Sequence, residues 1–243
     1  MSKQTKNEPI QIYLDTCVLL DFMIKERKND ISKYLLRQLD GNRLVGIITG
    51  FSLLELRDQY YSYSDLIKKF QSGTTPSEII RQKKERILNK SDRTKDNEEI
   101  EDFLNRNKRN IRLALFGDTM IWERALELLG IENFSAPDAV QLSGATLNKC
   151  PILISKDEEF IKLINKTSKS TNVKGIHYNN NTKIERFTKH LNSITEAIKK
   201  PEMKPEELEA KESFESLISL IQPEGFDAKA YEEKIRRMIK KKD

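Results

Sequence analysis

Cysteine is nearly absent: Cys17 and Cys150 are the two among 243 residues, each inside an apolar segment and neither in a CxxC or Cys/His array. Neither a zinc site nor a disulfide framework is therefore expected, and both thiols read as buried. Histidine is as scarce. His177 and His190 lie in a basic polar stretch, where surface positions are expected. Long apolar runs are missing as well: no stretch approaches the roughly 18 apolar residues of a membrane helix, and nothing near the N-terminus joins a basic start to an apolar run. A soluble, cytoplasmic protein with no membrane partner is the expectation. No internal repeat and no low-complexity run is visible.

What is present is charge. With 37% hydrophobic and 33% charged residues, the chain can bury one good core with appendages, or at most two small domains. The net charge of +5 matters less than its layout. Leu113 to Phe160 holds three bases and eight acids, and Ile161 to Lys200 nine bases and two acids. An acidic block beside a basic one suits a site where carboxylates hold metal while Lys and Arg meet a phosphate backbone. Solvated helix surfaces explain such blocks too.

Along the chain, Ile10 to Leu14 reads as a short buried strand ending at Asp15, and Val18 to Met23 starts a helical pattern. A helix from about Ile31 to Asp40 closes at Gly41. Val45 to Thr49 is a second strand, after which Phe51, Leu53, Leu54 and Leu56 resume a helix. Residues 58–112 are highly charged and read as a helical insertion outside the core, interrupted around Gly73 to Pro76. A helix from about Met120 to Leu129 follows. Ser135, Ala136 and Pro137 open another at Asp138, running to about Leu147. Ile152 to Ser155 is a further strand, Glu158 to Ile164 a short helix, and Val173 to Ile176 a candidate fourth strand. This alternation predicts an α/β fold with a central parallel sheet flanked by helices, carrying sites at the carboxyl ends of its strands. Residues 1–180 are expected to form the main domain, and 181–243 a basic linker with a helical C-terminal appendage. In that tail, Pro201 to Gln222 has six acids and two bases, and Phe214, Leu217, Ile218 and Ile221 fall at helical spacing. A docked helical element that regulates access or mediates association is expected there.

Four acids stand in apolar surroundings where an unpaired carboxylate is costly: Asp15, Glu55, Asp138 and Asp157. Converging carboxylates repel one another, and a divalent cation is the usual remedy. All-oxygen donors favour Mg²⁺ or Mn²⁺ over Zn²⁺. Such ions acidify bound water and neutralise phosphoryl charge, which points to phosphodiester hydrolysis. Taken singly, Asp138 and Asp157 also fit helix caps, and Glu55 a surface acid. Asp21 and Asp118 read as exposed or supporting. Phosphate contacts are expected from the basic block, through Lys162, Lys166 and Lys169.

Four segments in order resemble the PIN-domain family, especially its VapC-type toxin ribonucleases. They are Ile12 to Asp21 (IYLDTCVLLD), Ser52 to Leu56 (SLLEL), Ala136 to Ala145 (APDAVQLSGA) and Ile152 to Phe160 (ILISKDEEF). The Pro-Asp-Ala start of a small-residue helix is the most specific. The resemblance covers roughly Ile10 to Ile164 without the insertion. It implies a three-layer PIN-like fold, metal-binding and catalytic roles for Asp15, Glu55, Asp138 and Asp157, support from Thr16 and Ser155, and Mg²⁺- or Mn²⁺-dependent cleavage of single-stranded RNA. An antitoxin or other protein partner and a homodimer belong to the same implication. Cys17 stands where many relatives carry Asn or Ser, and the insertion is longer than in compact toxins. A phosphatase of the haloacid-dehalogenase type is disfavoured, because Cys17 stands where that chemistry needs a second Asp. A structure-specific nuclease acting on DNA, and an inactive PIN-like module that only binds RNA or protein, remain alternatives.

Overall fold

Strand β1 (Ile10–Leu14) is the centre of the sheet, and its alternation shows how it is covered. Ile10, Ile12 and Leu14 face one hydrophobic core and Tyr13 faces a second, so the strand is covered on both sides. The computed structural model describes residues 9–81, 87–114 and 118–199. In chain order, β1 is followed by α1 (Thr16–Met23), a short 3₁₀ turn, α2 (Asp30–Asp40), β2 (Leu44–Ile48), α3 (Gly50–Gln71), α4 (Pro76–Arg81) and α5 (Lys90–Asn107). Then come β3 (Ile111–Leu113), α6 (Asp118–Ile131), α7 (Ala136–Leu147), β4 (Ile152–Ser155), α8 (Glu158–Lys166), α9 (Ser168–Thr171), β5 (Lys174–His177) and α10 (Ile184–Lys199).

The five strands form one all-parallel sheet in the order β3-β2-β1-β4-β5. The chain therefore leaves β1 towards one edge and returns to build the other. A crevice results at the carboxyl ends of β1 and β4, where the direction of winding reverses. One face carries residues of α1, α2, α3, α5 and α10, among them Leu19, Leu35, Leu56, Ile100 and Phe187; the other carries α6, α7 and α8 through residues such as Leu128, Leu142 and Phe160. Burying each Leu, Ile or Phe adds about 1.5–3 kcal/mol.

Polar residues start the helices that approach the crevice. Thr49 caps α3 in a reciprocal box with Ser52, Ser135 caps α7, and Asp157 caps α8. Tyr13 reaches from β1 to the first of these, its hydroxyl lying 2.9 Å from Ser52 Oγ and 3.1 Å from Thr49 Oγ1.

Two features depart from the sequence expectation. The segment 58–112 is not outside the core: α3 continues without a break to Gln71, and Tyr60, Ile100 and Phe103 are buried in the main cluster. Its polar side chains stitch α3 to α5, through Tyr60 to Glu99 (2.6 Å), Tyr61 to Asn97 (2.7 Å) and Ser64 to Asp96 (3.0 Å). The segment also ends in β3, which pairs with β2. Three residues, with Arg112 in the middle, are too few to show a periodicity. The expected division near residue 180 falls ahead of α10, whose Phe187, Leu191 and Ile194 are buried in the core. The appendage after Lys199 lies outside the described residues. Among the described residues no helix is long and apolar enough to cross a membrane.

At Gly144, α7 packs tightly against Tyr13 of β1 and the α3 cap: a Cβ there falls 2.7 Å from Thr49 Cγ2 and 3.1 Å from Tyr13 Cε2. Gly144→Val is expected to lower stability by about 1–3 kcal/mol through overpacking. Gly130→Ala, where nothing stands within 4 Å, is expected to raise it by about 0.4–1 kcal/mol. Urea denaturation of the two variants beside the wild type measures both; equal midpoints for all three would contradict the close approach.

Candidate functional site

Asp15 follows the last residue of β1, and its backbone N–H continues the sheet by donating to Ile154 of β4 at 3.2 Å. Its carbonyl accepts from Val18 to begin α1. The side chain is only 8% exposed. Its Oδ2 accepts a hydrogen bond from Ser155 Oγ and another from Cys17 Sγ at 3.1 Å. Cys17 Sγ in turn accepts from the backbone N–H of Lys156 at 3.2 Å, and Ser155 Oγ accepts from that of Asp157 at 2.9 Å. Burial, reinforced by the charge of Asp15, pushes the Cys17 thiol well up, so it stays a protonated donor. Cys17, expected as a buried thiol, is of intermediate exposure and ties β1 to β4.

Glu55 lies in the second turn of α3. Its Oε2 accepts from Thr16 Oγ1 at 2.7 Å and from Gln141 Nε2 at 2.8 Å, and its Oε1 from Gln59 Nε2 at 3.1 Å. Burial raises its pKa, and the charges of Asp15 and Asp138 add to the rise against the bonds from Thr16 and Gln59. Asp138 sits in the first turn of α7 and accepts from Ser135 Oγ at 2.6 Å. Its pKa is also raised, first by burial and then by Asp157 and Asp15. Asp157 is exposed and caps α8 by accepting from the Phe160 N–H at 2.9 Å. The four acids thus form one electrostatic group at the crevice between β1 and β4.

Gln141 escaped the sequence reading. It is buried one turn after Asp138, its amide N–H holds Glu55, and its Oε1 has no partner among the described residues. A glutamine between Val140 and Leu142 was the available signal, since a buried amide oxygen left unpaired costs about 1–3 kcal/mol.

Asp21, expected to be exposed or supporting, is fully buried and supports the turn around Lys156. It accepts from Arg27 Nε (3.0 Å), Asn29 Nδ2 (3.2 Å), Lys156 Nζ (3.0 Å) and the Tyr178 hydroxyl (3.1 Å). Burial, with the negative groups around it, drives the Tyr178 phenol far up, which keeps that hydroxyl a donor. Lys156, between Ser155 and Asp157, also meets Asn180 Oδ1 at 3.1 Å and lies 5.6 Å from the Tyr178 ring centroid. Asp21 thereby fixes the turn that bears Asp157. The side chain of Asp118 is outside the described residues.

The three lysines read as phosphate contacts lie on or just after α8. Lys162 pairs with Glu158 at 2.8 Å and Lys166 with Glu132 at 2.7 Å, while Lys169 is exposed on α9. His190 is exposed; His177 is half-buried, with Nε2 3.2 Å from the Lys156 carbonyl oxygen.

Four carboxylates offer hard oxygen donors beside a thiol that keeps its proton, a set that suits Mg²⁺ or Mn²⁺ in chemistry and charge. Among the described residues, no group of three or more His, Cys, Asp or Glu side chains is placed, as it stands, to hold a metal ion.

No protein-family model matches the chain, and no curated protein does. Among solved structures, a chain in the crystal structure of VapBC2 from Rickettsia felis bound to a DNA fragment from their promoter is similar at 14% identity, with 70% of this chain and 100% of that one covered and a TM-score of 0.42. A likeness of that size decides neither family nor activity.

Removing Asp21 strands the two cations that it holds. Asp21→Ala is expected to cost about 2–3 kcal/mol, below the ~3–5 kcal/mol of a fully buried pair because Arg27 and Lys156 reach water. Urea denaturation measures it, and a loss under about 0.5 kcal/mol, the range of an ordinary surface change, would contradict the network. For Asp138, protonation favours the folded state: that contribution is full below the ordinary value of 3.8 and is lost as pH rises through the raised one. In EDTA, Asp138→Asn should therefore match or exceed the wild-type melting temperature at pH 7, and its advantage should vanish as pH falls to about 4.

Proposed function

We propose that the chain is a PIN-type endoribonuclease that hydrolyses phosphodiester bonds of single-stranded RNA with Mg²⁺ or Mn²⁺ held by Asp15, Glu55, Asp138 and Asp157. The observation that carries this reading is the electrostatic crowding of the four acids, with Glu55 and Asp138 both raised by burial and by their acidic neighbours. Such a group gains stability from a cation, and the four sequence segments that resemble PIN nucleases supply its four members. A divalent ion bound there neutralises charge on the phosphoryl group and acidifies a water.

The chain's own residues prepare the site. Ser155 and Cys17 fix the Asp15 carboxylate by hydrogen bonds, and Thr16, Gln59 and Gln141 fix that of Glu55. Each acid thus keeps its orientation at little entropic cost when a ligand arrives. Ser135 holds one oxygen of Asp138. A toxin-like or RNA-processing role in the cytoplasm accords with this chemistry. A protein partner, an antitoxin or a second copy, fits the exposed row Trp122, Leu126 and Leu129 on α6. One observation favours the inactive RNA- or protein-binding module: among the described residues, no three acids are placed as they stand to hold an ion.

A gel assay with single-stranded RNA, single-stranded DNA and flap DNA in Mg²⁺, Mn²⁺ and EDTA separates the readings. RNA cleavage that needs metal and falls at least about 100-fold in Asp15→Asn and Asp138→Asn is expected, because the lost charge stabilisation amounts to several kcal/mol. Full activity in either variant removes the site assignment, and cleavage of DNA alone replaces the substrate. Because protons compete for raised carboxylates, Mn²⁺ affinity measured by calorimetry should fall as pH drops below neutrality, with protons released on binding.

A further inference from the structure

A groove of about 860 Å³ runs between α8 and α10 along the outer edge of β5. Asn165, Gly175, His177, Lys183, Arg186 and Lys189 are among its walls. We propose that this groove is the track of a single-stranded polynucleotide, which leads the strand to the carboxylate crevice; the second clause rests on the nuclease reading, the first does not.

Charge comes first. Lys183 stands just ahead of α10, and Arg186 and Lys189, three residues apart on that helix, are neighbours about 5–6 Å apart on one face. All three are exposed, and none has an acidic partner among the described residues. Lys162 and Lys166, on the same basic block, are already neutralised by Glu158 and Glu132. The one acid among the described lining residues, Glu158, is the one that Lys162 satisfies. Of the block's cations without an acidic partner among the described residues, Lys183, Arg186 and Lys189 line the groove together, while Lys169 on α9 and Lys174 on β5 stand singly outside it.

The edge itself decides the kind of occupant. β5 is the last strand, so Gly175 turns its N–H and C=O outward, where an extended peptide could add as a further strand. Asn165 closes that possibility: its Oδ1 accepts from Gly175 N–H at 2.9 Å and its Nδ2 donates to Gly175 O at 3.1 Å. With strand addition blocked and the opposite wall cationic, a phosphate backbone is the matching ligand.

Continuity joins the groove to the crevice. His177 is in register with Ser155, Tyr178 N–H donates to Ser155 O at 3.2 Å, and His177 Nε2 lies 3.2 Å from Lys156 O. Glu158, a wall of the groove, directly follows Asp157. A strand seated along α10 thus ends beside the acids.

The test uses the full chain in EDTA, with fluorescence anisotropy of labelled 20-nucleotide RNA and DNA of one sequence across a salt series. Circular dichroism verifies folding. Lys183→Glu/Arg186→Glu/Lys189→Glu should flatten the slope of log affinity against log salt by about 2, at about 0.7 per lost contact, and weaken binding at least about tenfold at low salt. Lys162→Glu/Lys166→Glu/Lys169→Glu should change the slope by less than half as much. Equal binding of RNA and DNA assigns the groove to phosphate alone; tighter RNA binding adds recognition of the 2′-hydroxyl. An unchanged slope in the groove variant, a larger effect in the other triple variant, or no binding of either polymer by the wild type overturns the proposal. Mn²⁺-dependent cleavage in parallel keeps the two readings apart. Groove-dependent binding without cleavage retains the track and removes the nuclease. Cleavage lost in Asp138→Asn, with unaltered binding in the groove variant, does the reverse.

Discussion

Ser155 donates to Asp15 across the point where the sheet reverses its winding, and much of the molecule is arranged around that bond. Asp15 follows β1, buried but for Gln11, and Ser155 ends the fully buried β4, so neither side chain can move without the sheet. The same hydroxyl accepts from the Asp157 N–H and the same carboxylate accepts from Cys17, whose sulfur accepts from Lys156. One junction thus sets the start of α1, the end of β4 and the turn into α8.

Charge is concentrated at this junction at an energetic cost, and the surroundings limit it. Asp21 is the clearest case: a fully buried carboxylate survives because two cations, an amide and a phenol all donate to it. Glu55 is treated differently, with three neutral donors and, among the described residues, no cation within hydrogen-bonding reach. It remains under the field of Asp15 and Asp138, which is why its pKa rises. One buried acid is neutralised by the protein itself, and the other group is left in need of positive charge. That contrast separates a structural carboxylate from candidate functional ones.

The long charged segment serves the junction from a distance. α3 carries Glu55 near its start and then runs on to Gln71, where α5 grips it through tyrosine–acid and serine–acid hydrogen bonds. Further along α3, Lys69 and Asp65 form a buried pair, and Asp65 also accepts from the Ile87 N–H at 2.6 Å. Lengthening and bracing α3 stiffens the helix on which Glu55 depends.

The sequence by itself determined the elements whose patterns are long or whose ends carry strong signals. β1, β2 and β4 were legible as apolar, β-branched runs; α7 was legible from Ser135 and Pro137; and the four acids were singled out because each interrupts apolar surroundings. Parallel pairing followed from the alternation of strands and helices, which needs no knowledge of contacts. Tertiary structure alone decided which lone polar residues found partners. Asp21 is buried because Arg27, Lys156 and Tyr178 converge from other elements, and Gln141 matters because α7 passes α3 at Gly144. β3 exists only because β2 offers an edge to pair with, and Lys162 and Lys166 are paired because Glu158 and Glu132 reach them, whereas Lys183, Arg186 and Lys189 keep their charge without an acidic partner among the described residues. The reason is common to all of these: periodicity records which face of an element is apolar, whereas the partner of a polar group is set by residues up to 157 positions away, as between Asp21 and Tyr178.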